Sequence, residues 1–352
     1  PPVSEISNTI LVVEGMIAVG DSAENKFLLS RLKPLDDTTL NDPETRAQVL
    51  VESSAGGSWV LPETNPGTYS AVNNIPTNAN YRLRITASNG KSYETPFMKP
   101  VNTPPIDSVT WLQPDNLTIY VHSFDPSGTT RYYRWDYAET WEYRSYYNPE
   151  VEYVNGSIVL IPPSRQIYSC WRFRNSNTIN IHNTTALSED RVSYFPLKTI
   201  TNGAEEGSAR YSILVRQMGL TKEAYEFWSI LKKNTELTGS LFDPQPSQLP
   251  SNITCVSDPA ERVVGYVCAG KQELRRMFVT YSELTTDDTK WPVFKDDDLC
   301  RADSTGGTAR MDQDPNYVPA FFYGSPGVLA IAKKICVDCR EQGGTNSKPL
   351  YW

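Results

Sequence analysis

The chain has 352 residues, more than one ordinary core needs and enough for two or three domains. Hydrophobic residues make up 39% and charged residues 21%, with 26 Pro, 20 Tyr and 8 Trp beside 2 His, which fits β-domains with long loops and argues against a disordered, helical or doubly wound chain. With 33 basic and 41 acidic side chains the net charge is −8, which repels a phosphate backbone and argues against a nucleic-acid partner, and no apolar run approaches the length of a membrane span.

The chain opens at Pro1 without a basic-plus-apolar leader, which reads as a mature start whose export signal is already absent. Strand patterns follow at Thr9–Ile17, Lys26–Leu32, Ala47–Ser53, Ser58–Pro62, Thr68–Val72, Tyr81–Ala87 and Lys91–Thr95. In Tyr81–Ala87 apolar and polar side chains alternate, as in a sheet with one wet face. Asn89-Gly90 is a hairpin signal because both positions tolerate positive φ. These short strands predict a β-sandwich over residues 1–98, immunoglobulin-like or transthyretin-like in shape.

A proline-rich linker, Pro96–Pro105, leads into a larger β-rich domain expected over residues 104–352. Its strand patterns include Leu117–Phe124, Arg131–Tyr137, Thr178–Ile181, Arg191–Leu197 and Arg210–Met218. One helix is expected near 221–238: Thr221 caps it, Ala224, Phe227, Trp228 and Leu231 form its apolar stripe, and Gly239 stops it. That helix should cover one end or open face of the second sheet. From Thr285 onward the texture is loop-rich and acidic, with Asp287, Asp288, Asp296, Asp297, Asp298 and Asp303.

The densest aromatic stretch is Tyr132 to Tyr147. If its strand is regular, Tyr133, Trp135 and Tyr137 share one face, and a turn through Ala138 presents Trp141 beside Glu139 and Glu142. Two readings stand: the rings pack across a sheet, or they form a platform for a sugar, peptide or partner. Glu139 and Glu142 also define the enzymatic alternative, a carbohydrate-active hydrolase, which needs two carboxyl groups around a sugar.

Little else carries chemistry. His122 and His182 read as sheet residues, and there is no nucleophile elbow, phosphate loop or dinucleotide fingerprint. The expectation is a non-enzyme with no catalytic residue and no cofactor. Asp312-Gln313-Asp314 opens like a calcium loop, but Tyr317 stands where that loop needs Gly, so no metal ligand is assigned. Cys170, Cys255, Cys268, Cys300, Cys336 and Cys339 are even in number and far from any His, favouring disulfides over zinc. Six cysteines allow 15 full pairings, and sequence does not choose among them.

The string from Arg210-Tyr211-Ser212-Ile213 through Ala224-Tyr225-Glu226-Phe227-Trp228 to Gly239-Ser240-Leu241-Phe242-Asp243-Pro244 resembles the Bacteroidota domain of unknown function 4249 family. Val13-Glu14-Gly15, Leu187-Ser188-Glu189-Asp190 and Cys336-Val337-Asp338-Cys339 match it too, so the likeness covers nearly the whole chain. The resemblance implies an outer-membrane lipoprotein at the cell surface, anchored through a lipidated cysteine upstream of Pro1. It also implies a neighbouring TonB-dependent receptor as partner, and hence an accessory or ligand-binding role in nutrient uptake. The family brings no agreed catalytic residues. The alternative role is a structural or adhesive cell-envelope protein.

Overall fold

The computed structural model describes residues 10–32, 42–236, 249–285, 290–293, 298–305, 307–323 and 327–352. Gly239, Asp287, Asp288, Asp296 and Asp297, named above, lie outside the described residues.

Alternation along Tyr81–Thr86 sends Tyr81, Leu83 and Ile85 into a core. Arg82 and Arg84, on the other face, both reach Glu52 of the neighbouring strand Gln48–Ser53. The Asn89-Gly90 turn closes the hairpin to Ser92–Glu94, with Gly90 at φ +83° and the Asn89 side chain accepting from the Lys91 N–H. This sheet runs Thr254–Cys255, Ser92–Glu94, Tyr81–Thr86, Gln48–Ser53, Ser58–Leu61.

Opposite it lies the extended segment Leu11–Arg31, where two separate strands were expected. It folds back on itself: the Leu32 N–H donates to the Ile10 carbonyl, and the Asn25 amide pairs with both the N–H and the C=O of Ala18. The fold-back needs Gly15, where an added Cβ would lie 2.4 Å from the Phe27 ring. Its outer half pairs antiparallel with Thr68–Ile75. The two sheets enclose Leu11, Phe27, Val49, Val51, Tyr69, Leu83, Ile85 and Tyr93.

The same core contains Ile253, Cys255, Val263, Val267 and Ala269. By sequence position these residues fall in the expected second domain, 104–352; the structure brings them back to complete the first sandwich. Thr254–Cys255 adds a strand beside Ser92–Glu94, and Val263–Val264 runs parallel to the start of Leu11–Arg31. Glu261 fastens the return, accepting from Tyr93 Oη at 2.6 Å and pairing with Lys91 and Arg31. A proline-rich linker marked a boundary in sequence, but the hydrophobic residues of the later segment decide where it packs.

The second sandwich sets the sheet Ser169–Asn175, Tyr132–Arg144, Arg210–Gly219, Ala269–Thr280 against Asp190–Ile200, Leu117–Asp125, Ile106–Leu112. Ala269–Thr280 starts by pairing parallel to Ile17, Ala18 and Val19, so one sheet runs through both sandwiches. The architecture is mainly β, built from several sheets.

The helix spans Lys222–Glu236, its Ala224 N–H capped by Thr221 Oγ1 at 3.2 Å. It does not serve the second sheet alone. Phe227 and Trp228 pack with Met16, Tyr266 and Cys268 from the first sandwich side and with Tyr132 and Ile181 from the second. The C-terminal part contributes the hairpin Tyr317–Tyr323 with Val328–Lys333, packed on Cys300, Cys336 and Val337.

Two disulfides form, Cys170–Cys339 and Cys300–Cys336. Cys255 and Cys268, expected among the cross-links, are free and buried. They sit in different clusters, Cys255 inside the first sandwich and Cys268 beneath the helix. Burial pushes the Cys268 thiol up to about 11, which keeps it protonated and unreactive.

Candidate functional site

The dense aromatic stretch forms one continuous strand, Tyr132–Arg144. Strand alternation sends residues 133, 135, 137, 139, 141 and 143 to one face, and that face is the interior of the second sandwich. Tyr133 stacks on Trp135 at 5.6 Å, and Trp135 on Phe195 of the opposing sheet at 4.6 Å. The Trp135 indole donates to Gln217 Oε1 at 2.8 Å, and the Tyr133 hydroxyl donates to Asp190 Oδ2 at 2.9 Å. Burial, then the Asp190 carboxylate, push the Tyr133 hydroxyl well above its ordinary pKa. An exposed platform of Tyr133, Trp135 and Tyr137 is therefore corrected: the rings are core, held by satisfied polar tips.

No turn interrupts the strand at Ala138, because its ladder with Arg210–Gly219 runs unbroken from Tyr133 to Glu142. Glu139 and Glu142 consequently point to opposite faces of the sheet and cannot flank one sugar. Glu139 is 1% exposed and faces inward, accepting from Tyr211 Oη at 2.8 Å and Arg174 Nε at 2.8 Å, with Lys198 Nζ at 3.7 Å. Glu142 faces outward and accepts from Arg144 Nε at 3.3 Å and Trp352 Nε1 at 3.4 Å.

What the structure opens lies one strand over. Ser169–Asn175 is the edge strand, and register sets Arg172 opposite Trp141 and Arg174 opposite Glu139. The Arg172 guanidinium lies 4.5 Å from the Tyr143 ring centroid and Arg174 lies 5.0 Å from that of Trp141, making an alternating stack of cations and rings. Arg172 also pairs with Glu205 at 2.7 Å, and the Trp141 indole donates to the same carboxylate at 3.0 Å. A groove of about 470 Å³ opens over Trp141, Arg172, Phe173 and Arg174, walled by Gly343, Gly344 and Thr345. Gly344 has no substitute there, since a Cβ would meet the Tyr143 hydroxyl at 2.2 Å.

A second hollow of about 190 Å³ lies on the other side of Phe173, lined by Thr140, Asn175, Arg276 and Tyr351. Tyr351 and Trp352 lie across the outer face of the sheet: Tyr351 shares a hydrogen bond with Thr140 at 2.7 Å, and the Arg276 guanidinium sits 3.6 Å from its ring centroid. Trp352 touches Trp171 and Phe278 edge to face. Of the expected site residues, only Trp141 and Glu139 border these hollows. The signal that would have found them is the alternation Trp171-Arg172-Phe173-Arg174, which arms both faces of one strand.

His122 and His182 are sheet residues. His122 Nε2 contacts Thr110 Oγ1 at 2.9 Å and its Nδ1 accepts the Tyr194 N–H at 3.3 Å. Burial lowers the pKa of both imidazoles. Among the described residues, no three His, Cys, Asp or Glu side chains come together as a metal group, and Asp312 accepts from the Tyr153 hydroxyl at 2.7 Å.

No curated protein matches the chain. Among solved structures, a two fibronectin type-III domain segment from chicken tenascin is similar at 12% identity, covering 59% of this chain and 90% of its own, with a TM-score of 0.16. A putative membrane anchored protein from Corynebacterium diphtheriae is similar at 11% identity, covering 59% of this chain and 54% of its own, with a TM-score of 0.18. At those TM-scores neither likeness bears on fold or function. The domain of unknown function DUF4249 matches residues 1–276, more than three quarters of the sequence, and the chain belongs to that family.

Proposed function

We propose that the protein is an accessory or ligand-binding lipoprotein of an outer-membrane nutrient uptake system, acting by binding and not by catalysis. The observation that carries this reading is the pair of disulfides, Cys170–Cys339 and Cys300–Cys336, in a chain of this family. Such bonds persist in oxidising compartments, so the chain works outside the cytoplasm. The uptake role rests on the family resemblance, which pairs such chains with TonB-dependent receptors. The groove at Arg172 and Arg174 supports a binding role, since it offers rings, guanidinium groups and open backbone on a rigid strand.

The test is copurification of the lipidated full-length protein with the receptor encoded beside it. A stoichiometric complex that survives washing supports the reading. Failure under conditions that preserve other receptor complexes overturns it.

A second reading, an adhesive or structural envelope protein, draws on the hairpin of Val151–Val154 with Ser157–Leu160, which turns Val154, Val159 and Leu160 outward. Self-association lost on replacing Leu160 with a charged residue would favour it.

A further inference from the structure

We propose that the smaller hollow, on the outer face of the second sandwich, binds a small monocarboxylate that carries one apolar ring, its carboxylate on Arg276 and its ring against Phe173. Binding here needs no receptor. A receptor that fails to copurify leaves it standing, and a hollow that binds nothing leaves the receptor complex standing.

Register explains why the hollow is there. On the outer face Asn175 lies opposite Ala138, Ala138 opposite Leu214, and Leu214 opposite Arg276, so one row of side chains crosses four strands. Ala138 leaves only a methyl group in that row. The space above it, about 190 Å³, is bounded by Thr140, Phe173, Asn175, Arg276 and Tyr351. Arg276 reaches this space by leaning across the sheet. Its Nη1 donates to Ser212 Oγ on the next strand at 2.9 Å, and its guanidinium lies 3.6 Å from the Tyr351 ring centroid. Tyr351 in turn shares its hydrogen bond with Thr140, one strand further on, at 2.7 Å. The guanidinium is thereby carried from its own strand to the wall of the hollow.

Charge specifies one end of the occupant. Of the charged groups that line the hollow, Arg174 is paired with Glu139 and Glu206, and Glu139 is 1% exposed and held by Tyr211 as well. Arg276 is half-buried and has no carboxylate partner among the described residues. Of the five N–H groups of its guanidinium, Ser212 takes one. A half-buried cation without a counter-ion is costly, and a carboxylate matches the guanidinium fork with two parallel hydrogen bonds. One uncompensated charge calls for a monoanion in preference to a phosphate dianion.

Size and apolar surface specify the other end. A cavity of roughly 150 Å³ takes a benzene ring. The 190 Å³ here takes that ring with a carboxylate attached. Phe173 is 57% exposed and offers its ring as a wall, and the Ala138 methyl is the floor.

The test titrates benzoate, benzamide and acetate into the isotope-labelled full chain and follows the amide resonances of Ala138 and Asn175. Saturable benzoate binding is expected. It should be about tenfold tighter than that of benzamide, which keeps the ring and loses the charge, and tighter than that of acetate, which keeps the charge and loses the ring. R276Q should abolish the preference for benzoate over benzamide, and Ala138→Leu, which fills the floor, should abolish benzoate binding. No saturable benzoate binding by the unmodified chain, equal binding of benzoate and benzamide, a preference that persists in R276Q, or full binding by a folded Ala138→Leu variant overturns the proposal. If Ala138→Leu fails to fold, Phe173→Ala decides, since it trims an exposed ring: benzoate binding weakened to the level of acetate supports the proposal, and unchanged binding overturns it.

Discussion

The guanidinium of Arg134 lies 3.6 Å from the ring centroid of Trp228, joining the outer face of the second sandwich to the helix. Trp228 is 8% exposed, and its cluster draws on Met16, Tyr266 and Cys268 as well as Tyr132 and Ile181. The helix is therefore a wedge at the junction, and its loss reaches both sandwiches.

Trp228→Ala removes a large buried ring and leaves a cavity, at a cost of about 3–5 kcal/mol. Denaturant melts followed by near-ultraviolet circular dichroism should show both sandwiches shifting together. A first sandwich that melts unchanged would show that the helix serves the second one alone.

Thiol counting separates the two kinds of cysteine. Alkylation in denaturant without reductant should label Cys255 and Cys268, and reduction should expose the other four. Intact mass reads the count directly. Replacing Cys170 and Cys339 together with alanine removes a cross-link of sequence separation 169 and should cost about 2–5 kcal/mol by denaturant melt.

Tyr211→Phe deletes the hydroxyl that donates to the buried Glu139 carboxylate. A hydrogen bond to a charged group contributes about 1.5–3 kcal/mol, and the melt should fall by that order. Because Arg174 and Lys198 remain beside Glu139, the variant should stay folded at neutral pH.

Acid should destabilise the protein in two stages. Burial lowers the folded-state pKa of His122 and His182 below the ordinary 6.5, so the unfolded chain takes up these protons first. Stability then falls as pH drops below 6.5 toward the lowered values. Burial alone would raise Glu44 and Glu261, but hydrogen bonds from Arg31 and Ser88 to Glu44, and from Lys91 and Tyr93 to Glu261, outweigh it and lower both. Their contribution is full above 4.5 and is lost as pH falls through the lowered values. Melts across pH should show both stages, and replacing both histidines with glutamine should flatten the upper one.

Local order was legible where one residue type settles it. The alternation in Tyr81–Thr86, the Asn89-Gly90 turn and the Thr221 cap all read correctly because each depends on neighbours in sequence. The aromatic strand did not, because both of its faces are covered. Rings fill one side, while Arg134 and Asp136 on the other pair with each other, with Arg134 lying under Trp228. Glu139 breaks the apolar pattern and suggested a turn, but its partners Tyr211, Arg174 and Lys198 come from three other strands. Cysteine pairing was equally hidden: Cys170 and Cys339 meet only once the C-terminal segment docks.

The return of Ile253, Cys255, Val263 and Val267 to the first sandwich sets an order of events for a chain emerging from a ribosome or a translocon. The sheet that begins at Leu11 lacks its parallel neighbour until Val263–Val264 arrives, after every strand of the second sandwich except its last. A nascent chain long enough to include residue 98 holds an open sheet edge and an unfinished core. A fragment cut at the proline-rich linker should expose apolar surface and aggregate, whereas a chain that runs through Thr280 carries every strand of both sandwiches.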